Sequence, residues 1–200
     1  MYETCQQFFG CPSAFKIRRS FDCQNPEFRP SFLSFLYPPL HHLPLTMETE
    51  KQKMIAGKPY DASDPELRAD MKAVRDKITT FNHSAHGDAA TRKRMIDDIF
   101  GTCGPGCFIE PPLSVDYGYN IHLGTNVYAN FNCVFLDCAP ITVGDNTMFG
   151  PNVQVYTASH PLDAVERCSG IEFAKPIKIG EMCWIGGAAI ICPGVTIGDR

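Results

Sequence analysis

Residues 177–200 read IKIGEMCWIGGAAIICPGVTIGDR, and within them an aliphatic residue returns at every sixth position, Ile179, Ile185, Ile191 and Ile197, followed by Gly at three of the four. A repeat of six matches neither the helical period of about 3.6 nor the strand alternation of about two. It matches a solenoid with triangular coils, each flat face supplied by one hexad. The same phase runs upstream through IHLGTN (121–126) and ITVGDN (141–146). There the inward positions are Leu123, Ala129 and Phe135 and then, after two extra residues, Val143, Phe149 and Val155. Counting on from Val143 places Ile179 two eighteen-residue coils away, so the period survives the one stretch that breaks it, ASHPLDAVERCSGIEFAK (158–175).

An inward column of β-branched and aromatic side chains excludes water from a narrow core, and Gly behind it lets the backbone turn where a Cβ would crowd. Each coil buries its apolar side only against its neighbours, so stability is a property of the stack. The expected architecture is an all-β parallel helix, and an inert scaffold is the plain alternative to a functional one. The break in an otherwise rigid wall is the place to look for chemistry.

Two hundred residues with 44% apolar content can bury a substantial core in one or two domains. A formal net charge of -4 leaves no electrostatic footprint for nucleic acid, and residues 101–200 hold only Arg167, Lys175, Lys178 and Arg200 against nine carboxylates. Of ten Cys, five (Cys133, Cys138, Cys168, Cys183 and Cys192) are spread over the repeats and the break. Free thiols in a reducing, cytoplasmic compartment account for that scatter more simply than a disulfide framework. Cys103 and Cys107 in GTCGPGC have metal-like spacing, but no second pair or His cluster completes four ligands, so no metal is expected.

Residues 1–46 fit no single element and are expected to form a poorly ordered extension. FLSFLYPPLHHLPL is too short to span a bilayer and is broken by prolines, and His41 and His42 read as incidental. No basic start, apolar run and small-residue cleavage site occur in order, which argues against secretion and membrane insertion. From Met47, a helical cap over 47–106 is expected. In SDPELRADMKAVRDKITTF, Ser63 or Asp64 can cap, Pro65 suits the first turn, and Leu67, Met71, Val74, Ile78 and Phe81 share one face. A second helix in DAATRKRMIDDIF turns Met95, Ile96, Ile99 and Phe100 towards a partner before GTCGPG stops it. Asn82-His83-Ser84 matches a glycosylation sequon, a weak three-residue signal. The solenoid is expected over 107–200.

His160 follows a strand-like VQVYTA run and precedes Pro161 at the foot of the break. An imidazole of near-neutral pKa can take a proton from a hydroxyl and later return it, against the reading of a surface His that merely ends a repeat. Asp116 in SVDYGYN and Asn130 in YANFN lie fourteen residues apart and are expected at the same edge of successive coils, where they can hydrogen-bond a polyol or simply cap turns. Trp184, the only Trp, sits beside the inward Ile185, so its ring faces outward or across a subunit boundary. Glu172, in the break, is a candidate for recognition or a solvated carboxylate.

The segments KMIAGKPYD, FNHS, VDYGYNIHLGTNVYANFNCVFLD, ITVGDN, SHPLD and KPIKIGEMCWIGGAAIICPGVTIGD occur in this order between Met47 and Arg200. Together they resemble the maltose and galactoside O-acetyltransferases, hexapeptide-repeat acyltransferases built on a left-handed parallel β-helix. The resemblance implies acetyl transfer from acetyl-CoA to a sugar hydroxyl by a homotrimer whose sites lie between subunits. His160 matches the catalytic histidine. Asp116 and Asn130 match acceptor-site positions, and Glu172 matches a residue that is Met in the galactoside form. Trp184, with Gly150 and Gly187, falls on the cofactor side. Asp116, where the galactoside enzymes carry Ser, and Glu172 tilt the resemblance to the maltose-type branch. An acceptor-site Asp of the galactoside enzymes falls on Cys138, with Asp137 one place earlier, so Asp137 is the weaker assignment. Family members continue for several hexads beyond VTIGD and end in a basic tail, so the last coils of a complete cofactor groove are expected to be missing. The alternatives to sugar O-acetylation are a non-catalytic solenoid for assembly or binding, and an N-acetyltransferase acting on an amino sugar.

Overall fold

The computed structural model describes residues 47–84 and 88–200; the expected extension 1–46, with His41 and His42, lies outside them. The chain enters through helix α1 (Glu50–Ile55), closed by a capping box between Thr49 and Gln52, and the short strand β1 (Tyr60–Asp61). Six residues make under two helical turns, too few to show a period, which is why periodicity did not reveal α1. Helix α2 (Pro65–Asn82) begins where the sequence predicts: the Asp64 carboxylate accepts from the backbone of Glu66 and Leu67, and Pro65 fills the first turn. Leu67, Val74, Ile78 and Phe81 are buried and Met71 is half-buried. Helix α3 (Ala89–Ile99), capped by Asp88, buries Ile96 and Ile99, with Phe100 buried at its end. Asn82 is committed inward: its amide donates to the Leu113 carbonyl (2.9 Å) and accepts from the Leu113 N–H (2.8 Å), tying cap to solenoid. The side-chain nitrogen of the weak Asn82 sequon is therefore hydrogen-bonded within the protomer.

The solenoid opens with β2 (Thr102–Cys103), β3 (Phe108–Ile109) and β4 (Leu113–Val115), so it starts before the expected boundary at 107. The second coil is β5 (Ile121–Leu123), β6 (Tyr128–Ala129) and β7 (Cys133–Leu136); the third is β8 (Ile141–Val143), β9 (Met148–Phe149) and β10 (Gln154–Tyr156). An insertion follows, made of β11 (Ala158–Ser159), helix α4 (Ala164–Cys168) and β12 (Ile171–Ala174). The fourth coil is β13 (Ile177–Ile179), β14 (Trp184–Ile185) and β15 (Ile190–Ile191), and β16 (Thr196–Ile197) opens a fifth. Three parallel sheets result, β2-β5-β8-β13-β16, β3-β6-β9-β14 and β4-β7-β10-β15, in a left-handed parallel β-helix with a helical cap. The inward column from Leu123 to Ile191 is buried as the hexads require, and Ile197 on the fifth coil is half-buried. Phe135 and Phe149 cross edge to face at 5.5 Å in the core.

The register departs from a uniform eighteen-residue coil in an informative way. Thr102 pairs with His122 and His122 with Thr142, twenty residues per coil, whereas Lys178 pairs with Thr196, eighteen on. The two additional residues fall at one corner, after the third face, in segments 116–120 and 136–140. The insertion leaves from that same corner. Val143 therefore pairs directly with Ile179, one coil apart and not two, because residues 158–175 loop out instead of building a coil.

The other two corners turn through left-handed residues, Asn126, Asn146 and Met182 at one and Asn132, Asn152 and Ala188 at the next, with φ between 54 and 61. Asn tolerates this region and other L side chains pay for it. Met182→Asn and Ala188→Asn, both at exposed positions, are each expected to stabilise the fold by about 0.5–1 kcal/mol, read as a rise in thermal midpoint. An unchanged or lower midpoint would show that the turns are not strained.

Candidate active site

The corner that collects the extra residues is held by Asp137. It is fully buried, and its carboxylate accepts from the backbone N–H groups of Asp116 (3.2 Å), Tyr117 (2.9 Å) and Asn120 (3.2 Å), binding the turn of one coil to the next. Asn120 answers by donating to the Asp137 carbonyl at 2.7 Å. One coil further on, buried Thr157 donates to the Leu136 carbonyl (2.6 Å) and accepts from the Ala139 N–H (2.9 Å). This stack presents Asp116 at the surface edge, half-buried, with the Cys138 thiol donating to its Oδ2 at 3.5 Å.

Burial, followed by the neighbouring Asp137 carboxylate, pushes the Asp116 carboxyl up to about 6; the Cys138 hydrogen bond and the Arg75 charge oppose the shift. Burial also pushes the Cys138 thiol and the Tyr60 hydroxyl up, so both stay protonated donors at neutral pH. For Asp116 the ordinary carboxyl value is 3.8, so between about pH 4 and 6 the folded chain holds a proton that the unfolded chain has lost. The resulting stability is full below about pH 4 and is lost as pH rises through 6. Thermal midpoints from pH 4 to 7 should show this fall in the wild type and a flatter profile in Asp116→Asn; parallel profiles would remove the shift.

The insertion brings Glu172 to this corner and carries His160 just past its first strand. β12 lies between β11 and β1 in a three-stranded antiparallel sheet, with Ser159 opposite Phe173 and Glu172 opposite Tyr60. His160 follows Ser159, one residue beyond the last pair of this ladder. It is exposed, whereas Glu172 is half-buried and accepts a hydrogen bond from Tyr60 Oη at 2.9 Å. Tyr60, in the cap, escaped sequence reasoning because its partner is 112 positions away.

Asn130 is not brought to this cluster. It follows β6, at the corner between the second and third faces, while Asp116 follows β4 at the corner after the third, so the expected shared edge does not exist within one chain. Trp184 faces outward, 78% exposed. Gly150 and Gly187 lie on successive coils at the corner that carries Asn130, where a Cβ on Gly150 would come within 2.6 Å of the Gly187 nitrogen, so the close approach of these two coils requires glycine at 150. The seven Cys among the described residues are all free thiols, and burial with its neighbour Cys107 pushes the Cys103 thiol up to about 12.

Residues 53–104 match the maltose acetyltransferase hexapeptide capping motif, and residues 176–200 match the hexapeptide repeat of succinyl-transferase. A Dictyostelium discoideum protein named as a candidate acetyltransferase is 53% identical over 150 residues, 75% of this chain and 78% of its own length. The chain belongs to the hexapeptide-repeat acetyltransferase family. Among solved structures of this family, a maltose O-acetyltransferase from Clostridium difficile superposes with a TM-score of 0.75 at 46% identity, covering 76% of this chain and 81% of that one. A hexapeptide-repeat acetyltransferase from Vibrio cholerae, solved with acetyl coenzyme A, gives 0.71 at 37% identity, covering 76% and 82%. The chain is thus an acetyltransferase, and the inert-scaffold reading falls away. Among the described residues no helix is long and apolar enough to cross a membrane.

Proposed function

We propose that this acetyltransferase moves an acetyl group from acetyl-CoA to a hydroxyl of a sugar such as maltose or glucose, at a site completed between protomers of a trimer. What supports the reading is the antiparallel sheet β1-β12-β11, which holds Glu172 against Tyr60 beside the corner where Asp116 emerges and whose outer strand runs directly into His160. His160 takes the proton of the acceptor hydroxyl, the freed oxygen attacks the thioester carbonyl, and the carbon–sulfur bond breaks. The imidazolium then returns its proton to the CoA thiolate. Asp116 and Glu172 orient the sugar by accepting its hydroxyl hydrogens, and Asp137 acts one step back by fixing the turn that carries Asp116.

The trimer is supported by the outer surface of the second sheet. Phe108, Tyr128, Met148 and Trp184 follow one another in register down this face, and Phe108 and Trp184 are 37% and 78% exposed. A row of large apolar side chains along a prism is suited to burial against another copy. In such a trimer we read Asn130 as reaching the site from a neighbouring protomer's corner, and Trp184, Gly150 and Gly187 as lining the acetyl-CoA side. The free thiols fit a reducing, cytoplasmic setting.

CoA release measured with acetyl-CoA and a panel of maltose, glucose, galactosides and glucosamine tests the reading, together with product analysis and sedimentation. Turnover on plain sugars by a trimer supports it. Turnover on glucosamine alone, with an amide product, replaces it with N-acetylation.

A further inference from the structure

We propose that Tyr60, in the helical cap, is a positioning residue of the acceptor site, holding the Glu172 carboxylate in place. The inference rests on the sugar acetyl-transfer reading above. Tyr60 is 2% exposed and packs with Met54, Leu67, Tyr117, Cys138 and Ala174, so its ring is fixed by the cap and the corner together. From that fixed point its Oη donates to Glu172 Oε2 at 2.9 Å, and the backbone pairs Tyr60 with Glu172 and Asp61 with Ile171.

The insertion needs such an anchor. Helix α4 buries none of its residues, and Leu162 and Val165 are 98% and 82% exposed, so among the described residues the outer half has little packing to hold it. Its base is held by the β11–β12 pair, by β1 and by a close approach at Gly57. There φ is +72 and a Cβ would lie 2.9 Å from the Ala174 carbonyl oxygen, so glycine lets the turn before β1 lie against β12. With Oε2 occupied by Tyr60, the Glu172 carboxylate cannot rotate freely, and Oε1 is left to accept from a sugar hydroxyl. The orientational freedom lost on binding is then already lost in the free enzyme.

The test uses the full chain and the best acceptor from the panel above. Tyr60→Phe is expected to raise the acceptor KM on the order of tenfold, with kcat changed by less than about twofold and the acetyl-CoA KM unchanged. In a Glu172→Met background, which removes the partner at similar volume, Tyr60→Phe is expected to have no further effect. An equal loss in both backgrounds, or a fall in kcat with the acceptor KM unmoved, would overturn the assignment, since either would mean that Tyr60 acts only through folding. A wild type that transfers to no hydroxyl sinks the sugar reading separately. The latch itself is also read by hydrogen exchange at 171–174, expected to quicken about fivefold in Tyr60→Phe; unchanged exchange removes it.

Discussion

His160→Ala is expected to lower kcat for acetyl transfer on the order of a thousandfold while leaving the fold intact. The ring is exposed on the single chain, so its loss opens no cavity and leaves no buried group unpaired. The thermal midpoint should therefore stay within about two degrees of the wild type. The effect belongs to proton transfer: without a base at the ladder's end, the acceptor hydroxyl must lose its proton to water as it attacks. A purified variant that keeps its turnover would remove the general-base role. Cys138→Ala is the matching control, because the thiol is buried, protonated and bonded to Asp116. If that variant alone lost all turnover, a covalent acyl-cysteine route would have to replace direct attack.

The second large effect is structural. Asp137→Ala is expected to lower the thermal midpoint on the order of 10 °C, because three N–H donors at one corner lose their acceptor together. Asp137→Asn should lose less. It keeps one oxygen that can accept and removes the charge whose burial raises the Asp137 carboxyl above its ordinary range. Activity should fall in the same order, since the turn from Asp116 to Asn120 is what presents Asp116 to the site. An Asp137→Ala chain that melts with the wild type would show that the corner is held by the flanking strands alone.

The solenoid is readable in the sequence because a β-helix is a local repeat: every coil solves the same packing problem, and each solution is written in one hexad. The inward column, α2 with its Asp64 cap and Pro65, and the outward Trp184 all follow from spacing that a single segment contains. His160 stands out in the sequence for the complementary reason, as the residue beside the place where the pattern stops, and its role as base awaits the variant above. α1 was not legible, being too short to show a period, and neither was the direct pairing of Val143 with Ile179, since a count of residues does not distinguish a coil from a loop of the same length.

What tertiary structure alone decided is which candidates meet. Asp116 and Asn130, close in sequence, stand at different corners, whereas Tyr60 and Glu172, 112 positions apart, share a hydrogen bond. Asp137 proved to be fully buried support for the corner beside Asp116. The physical reason is that a repeat fixes the direction each side chain takes from its own coil. The candidate site lies at a corner, where extra residues, an insertion and a distant cap strand converge through long-range hydrogen bonds that no local pattern encodes.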